Sequence, residues 1–321
     1  MYHLPIETDS YFHTYAHIPE RFRKFLIPSA RYHFSSDGDN ASLDMNIPLP
    51  GFSVWIHYLW LTGSVSLHPF NTRDTYALHF WLARSIPAAL KDQGLVNVED
   101  CMLFFLKAME HAAWVTSGIS LSMHINIDPA NLGPLSYEYP QLALLRELPV
   151  YNISTPINPT PFAISAANIR ILKRILHCRH IGVAGECYLR RNCVSLYSNY
   201  FNELSAGKPR RLLRPEDKWK LYRILQYAGS YPETILSHDS LAERFKIDLI
   251  TMKTGFEQEF HITLYDFVLQ ERMNLAFNLL MNHHYSVEDI SRRLNYPATF
   301  LFNADFEMFF GRTPLVLRMA Q

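Results

Sequence analysis

Residues 250–258 set Thr251, Lys253, Thr254, Glu257 and Gln258, with Ile250 beside them, on the side of a helical period away from Leu249, Met252, Phe256 and Phe260. Threonine and glutamine side chains pair with base edges, and a lysine ammonium reaches a phosphate or a guanine. A second stretch near the C-terminus offers Ala298, Thr299, Phe300, Asn303 and Ala304, with Asp305 and Glu307 next to them. Phe300 can meet only a thymine methyl, and the two carboxylates repel phosphates. This is the chemistry of groove recognition, not of bond-making. The chain has no Ser-His-Asp pattern, nucleophile elbow, phosphate loop or dinucleotide glycine motif, so no catalytic residue and no enzyme is expected. Of the fifteen histidines, His57, His68, His79 and His124 fall in candidate strands without a close H-x-H pair or an H-x-x-x-H with an acid. No metal and no cofactor is expected. His283 and His284 are adjacent and end a helix, where solvent or the helix dipole satisfies them.

The elements that hold the two stretches read as twin helix-turn-helix units, residues 241–260 and 287–310. In the first, Asp239 or Ser240 is expected to cap a helix bearing Leu241, Ala242 and Phe245; Lys246 and Ile247 make the turn, and Asp248 caps the second helix. In the second, Ser286 and Asp289 form a capping box, Asn295 and Tyr296 make the turn, and Phe302, Phe306, Phe309 and Phe310 anchor a helix stopped at Gly311. A helix over 264–281 joins the units and fixes their spacing, because recognition helices on one DNA face lie about one turn, ~34 Å, apart. A preceding helix over 218–228 packs as core through Trp219, Leu221, Tyr222, Leu225 and Tyr227.

The first half is rich in strand signals. Residues 52–61 and 65–68 flank Gly63, which predicts a tight antiparallel turn. Tyr76, Leu78, Phe80 and Leu82 alternate, and Ile119, Leu121, Met123, Ile125 and Ile127 alternate most cleanly against Ser120, Ser122, His124, Asn126 and Asp128. A β sandwich or barrel over residues 20–160 follows. Trp55, Tyr58, Trp60, Phe80, Trp81 and Trp114 fill its core or line a ligand pocket. Two helices come next, the first striped by Ile169, Leu172, Ile175 and Leu176, the second over 185–204; they either pack on the β domain or form a dimer face. Gly207, Pro209 and Pro215, among the basic Lys208, Arg210, Arg211 and Arg214, mark a linker.

Bulk properties agree. The 321 residues are 48% hydrophobic and carry 30 basic and 30 acidic groups, so the chain is folded and lacks the field that broad nucleic-acid binding needs. Residues 218–321 hold eleven basic and twelve acidic groups, a formal charge of −1. No apolar run reaches the ~20 residues of a membrane span, and no signal peptide opens the sequence. Cys101, Cys178, Cys187 and Cys193 match no disulfide or C-x-x-C framework, which fits buried thiols in the cytoplasm.

The C-terminal domain resembles the AraC/XylS family of bacterial transcription regulators. The likeness covers residues 219–318 and runs in order through Leu241-Ala242, residues 256–260, Arg272, Ala276, Leu280, Ile290, Tyr296, Phe302, Phe306, Gly311, Pro314 and Arg318. The first half is compatible with the cupin-like sensing domains common in that family, and residues 175–204 look like the helical pair of its pyochelin-regulator-like branch. The chain departs from the family's glycines at Asn295 and His261, and from its Ser, His, Arg and Lys near Phe300, Leu301, Ala304 and Glu307. The resemblance implies an α+β multidomain protein: an N-terminal all-β cupin-like barrel or sandwich (1–164), a helical pair available for dimerisation (165–204), a linker (205–217) and an all-α domain with two helix-turn-helix units joined by a linker helix (218–321). It implies a transcription activator bound to double-stranded promoter DNA through Ile250, Thr251, Lys253, Thr254, Glu257, Gln258, Ala298, Thr299, Phe300, Asn303 and Ala304. A small-molecule effector in the N-terminal domain, RNA polymerase and a second copy of the chain are the further partners expected. A competing reading is a degenerate helix-turn-helix scaffold that acts through protein contacts.

Overall fold

The computed structural model describes residues 6–7, 13–84, 89–90, 94–95, 100–149, 151–158, 160–205, 213–234 and 237–320. The chain divides into two compact units, Met1–Ile164 and Ser165–Gln321. The first contains β1 (Ile6–Glu7), β2 (His13–Thr14), α1 (Glu20–Arg23), β3 (Arg31–Ser36), β4 (Ala41–Leu49), β5 (Phe52–Leu61), β6 (Val65–Leu67), β7 (Thr75–Arg84), β8 (Ala89–Leu90), β9 (Gly94–Leu95), β10 (Asp100–Leu106), β11 (Ala113–Val115), β12 (Gly118–Ile127), α2 (Leu132–Glu138), β13 (Thr155–Pro156) and β14 (Phe162–Ala163).

Its main sheet is antiparallel, in the order β13-β10-β7-β12-β5-β4-β3-β2, with β14 also on β10. Among the described residues no pairing joins β2 to β13, so the sheet does not close through its strand ladder. Period-2 patterning becomes two opposite faces. One carries the cross-strand rows Met45–Ile56–Met123–Phe80 and Ile47–Val54–Ile125–Leu78, all at most 1% exposed. The other carries Asp44 opposite His57, and Asn46–Trp55–His124–His79 in one row.

Two expectations change here. β5 and β6 do not pair around Gly63; β6 leaves for a small sheet with β1 and β11. The stretches flanking Gly63 instead run alongside β12 and β11, so the glycine lies between two sheets and not in a hairpin. Ile119 is 54% exposed, because it lies at the start of β12, beyond the residues that pair with β7.

The second unit contains α3 (Ala166–Leu176), α4 (Gly182–Ser205), α5 (Pro215–Ser230), α6 (His238–Phe245), α7 (Leu249–Phe260), α8 (Leu264–Met281), α9 (Val287–Arg293), α10 (Thr299–Phe310) and α11 (Pro314–Met319). One local rule starts six of these helices. Ser165, Ser237, Asp248, Thr263, Ser286 and Thr313 each accept the backbone N–H of the residue three positions on. Ser237, and not Asp239 or Ser240, caps α6.

α5 begins at Pro215, a favoured first helical position, with Glu216 and Asp217 in its first turn. The expected linker is shorter by those residues, and its Gly207, Lys208, Pro209, Arg210 and Arg211 lie outside the described residues. The buried row of α5 is Leu221, Ile224, Leu225 and Ala228, a rotation that leaves Trp219 and Tyr222 exposed instead of in the core. α3 buries Ile171, Leu172 and Ile175, with Ile169 and Leu176 at its margin. α4 packs against α3, α10 and α11, and fourteen of its 24 residues are buried. The apolar residues that α4 leaves exposed are Val183 and Leu204, near its two ends.

Buried Glu271 on α8 binds Arg170 at 2.8 Å and Arg174 at 2.5 Å, tying α3 to the helix that joins the two helix-turn-helix units. All four cysteines are buried. No described helix is long and apolar enough to cross a membrane.

Candidate nucleic-acid interface

Helices α6 and α7 form the first helix-turn-helix unit, α9 and α10 the second. Each turn needs a left-handed residue. Lys246 ends α6 at φ 51°, and Asn295 follows α9 at φ 58°. His261, after α7, takes φ 60°. Asparagine adopts this region more readily than most residues, and its Nδ2 also donates to the Glu233 carbonyl at 2.7 Å. Both departures from the family's glycines therefore keep the backbone shape that glycine would give.

On α7, Met252, Phe256 and Phe260 are fully buried, and Ile250, Lys253, Thr254 and Glu257 are exposed. Gln258 is half-buried. Thr251, expected among the exposed groups, is buried. It shares a helical row with Gly255, where a Cβ would lie 3.0 Å from Leu213 and Leu221, and that close helix–helix approach turns the row inward. The Thr254 hydroxyl donates to the Ile250 carbonyl at 2.8 Å, which leaves its lone pairs outward.

On α10 the buried residues are Phe302, Phe306, Phe309 and Phe310. The outer face is Phe300, Leu301, Ala304, Glu307 and Met308, with Phe300 and Met308 each 71% exposed. Ala298 and Thr299 are half-buried. Asn303 is also half-buried and its Oδ1 is shielded from solvent, because position 303 flanks the phenylalanine rows and not the outer stripe. Asp305 accepts a hydrogen bond from the Tyr296 hydroxyl at 2.7 Å, a contact between the turn and α10 that spacing alone did not reveal. Burial first, then this bond, raises the phenol's pKa and keeps it a donor.

The first unit carries a pocket of about 580 Å³ whose wall includes Arg31, His33, Asp44, Asn46, Trp55, Asn71, Arg73, Asn126 and Asp128. Of the aromatic residues expected at a ligand site, only Trp55 lines it; Phe80 and Trp81 are buried and Trp114 is exposed. Behind the wall, His57 Nδ1 lies 2.5 Å from Asp44 Oδ1, its Nε2 lies 2.9 Å from His124 Nε2, and His124 Nδ1 lies 3.0 Å from Asn126 Oδ1. Burial, and then the neighbouring His57, push the His124 pKa down to about 3. No group of three or more His, Cys, Asp or Glu among the described residues is arranged to hold a metal ion.

Residues 241–320 match the family model described as a helix-turn-helix domain. No curated protein sequence matches the chain. Among solved structures, the DNA-binding domain of AdpA, in complex with a target DNA, is 20% identical over 32% of this chain and 91% of its own, with a TM-score of 0.30. The C-terminal domain of AraT from Geobacillus stearothermophilus is 22% identical over 35% of this chain and 89% of its own, at 0.31. ToxT from Vibrio cholerae is 13% identical over 84% of this chain and 99% of its own, at 0.32. Superpositions this loose carry no argument, and the match in sequence is what identifies the domain. Residues 241–320 form a helix-turn-helix domain of the AraC type.

Proposed function

We propose that the protein is a DNA-binding transcription regulator that reads the major groove mainly with α7. The observation that carries this is the helix-turn-helix match over residues 241–320, on which α7 is capped, anchored by Met252, Phe256 and Phe260, and turns Lys253, Thr254 and Glu257 outward. Ile250 and Gln258 border that face, and Ala298, Thr299, Phe300 and Ala304 are the matching positions on α10. The decisive measurement is fluorescence anisotropy on the DNA upstream of its own gene against scrambled DNA at ~0.15 M salt. A clear preference for the upstream DNA is the expected result, and equal affinity for both overturns the reading.

Regulation by an effector in the first unit, a homodimer on DNA, contact with RNA polymerase, activation and a cytoplasmic location belong to the same proposal. The pocket in the first unit supports the effector. The formal charge of −1 on residues 218–321 favours a dimer, because two weak contacts on one DNA multiply. A second reading has one specific observation in its favour. The outer stripe of α10 is Phe300, Leu301, Ala304 and Met308 with one carboxylate, a surface better suited to protein than to phosphates.

A further inference from the structure

Two residues of the pocket wall, Asp44 and Asn126, are the two ends of one buried hydrogen-bonded chain that runs through His57 and His124. The donors along it can be assigned. Asn126 Oδ1 only accepts, so His124 Nδ1 carries a hydrogen. His124 is neutral, so its Nε2 is bare and accepts the His57 Nε2–H. One more proton then lies between His57 Nδ1 and Asp44, which also accepts the Ser42 hydroxyl at 2.9 Å. The three titratable groups of the chain together hold three protons.

Turning the Asn126 amide by half a rotation reverses every bond. Nδ2–H donates to His124 Nδ1, His124 Nε2–H to His57 Nε2, and His57 Nδ1–H to an Asp44 carboxylate. That arrangement holds two protons, so the reversal releases one to solvent. A ligand that accepts a hydrogen bond from Asn126 Nδ2 keeps Oδ1 toward His124 and holds the three-proton state.

The charges of the wall say what kind of acceptor fits. Arg73 is paired with Asp128 at 3.3 Å, and Asp44 is matched by the proton it shares with His57. Arg31 has no carboxylate within ion-pair distance among the described residues and adds a net positive charge. Asn46 and Asn71 supply further amides and Trp55 an indole. An alkyl chain would leave these polar groups buried and unsatisfied. The other groups facing the relay are His79 of β7, stacked on His124 with ring centroids 5.5 Å apart, and His33 of β3, the cross-strand partner of Asp44.

We propose that this pocket takes a small organic acid and that the Asp44–His57–His124–Asn126 chain couples its binding to the uptake of a proton. This deepens the effector reading above and rests on it. The test is calorimetric titration of the full chain with tartrate, whose carboxylates stay ionised from about pH 6 to 8, in buffers of different ionisation heat. The expected result is binding at or below ~1 mM that takes up as much as one proton and weakens as the pH rises, at most about tenfold per pH unit. Arg31→Ala, on an exposed side chain, should lose at least about tenfold in affinity. Asn126→Ala and Asp44→Asn should each abolish the proton uptake; Asn126→Ala decides alone if the other does not fold.

Three results overturn the proposal: erythritol or decanoate binding as tightly as tartrate; no binding of tartrate, malate or inorganic phosphate; and proton uptake that is absent in the parent chain or unchanged in Asn126→Ala. DNA anisotropy on the same samples separates the two readings. Loss of DNA selectivity with tartrate binding intact sinks the regulator and not the pocket.

Discussion

On α7 the buried Met252, Phe256 and Phe260 leave Lys253 as the single cation on the outward face, beside Ile250, Thr254 and Glu257. Lys253→Ala is therefore expected to weaken specific binding by ~1–3 kcal/mol where the ammonium reads a guanine. Where it touches only phosphate, the loss is equal on all sequences and the salt slope falls by about one. Anisotropy across a salt series separates these outcomes, and unchanged affinity removes α7 as the main reader. Glu307→Lys on α10 should strengthen binding to target and scrambled DNA alike, because it replaces a repelling charge without adding a fixed base contact. His124 makes a different prediction. Its pKa falls from the ordinary 6.5 to about 3 on folding. The unfolded chain then binds the proton first as the pH drops, so the stabilising contribution is whole above 6.5 and disappears toward 3. Urea midpoints measured from neutral to acidic pH should fall through this window, and His124→Asn should flatten the fall.

Helix starts on the second unit are written locally. Asp248 and Ser286 each sit three residues before the N–H they cap, so α7 and α9 are legible from sequence alone. Which face a helix buries is decided by a neighbour. Thr251 lies inside because α5 brings Leu221 against Gly255, and nothing within residues 249–260 encodes that approach. Trp219 and Tyr222 lie outside the core likewise, since the packing partners of α5 turn Leu221, Ile224, Leu225 and Ala228 inward. The relay in the first unit was further out of reach. His57 and His124 are 67 residues apart and meet only once β5 and β12 pair in register, so no spacing rule on the chain joins them. At the turns the reverse holds, since one residue decides. Lys246 sits at φ 51° without glycine's freedom or asparagine's tolerance, at a cost of about 1–2 kcal/mol. Lys246→Gly should raise the thermal midpoint by about 2–4 °C in calorimetry. A lower midpoint would mean that the lysine stem packs more usefully than its backbone suffers.

The whole chain carries 30 basic and 30 acidic residues, so it has no net field to draw it to DNA, and residues 218–321 are slightly acidic by themselves. One copy with one cation on its outward α7 face should bind a single half-site weakly. Affinity must then come from joining contacts, either α7 with α10 in one copy or two copies on one DNA. The outer stripe of α10, with Phe300 and Met308 exposed and Glu307 between them, argues against the first route. The second needs a surface between copies. Of the apolar residues of α4 only Val183 and Leu204 are exposed, so a surface built on it would need polar contacts as well, or the copies meet only on DNA. Two half-sites placed one helical turn apart should bind at least about 100-fold more tightly than one half-site. Inserting about five base pairs puts the sites on opposite faces of the duplex and should remove most of that gain. The measurement is anisotropy on the three DNAs, beside sedimentation of the free protein. A gain that survives the insertion points to copies held by a flexible tether. No gain at any spacing, with a monomer in sedimentation, leaves a single copy binding alone and makes the dimer wrong.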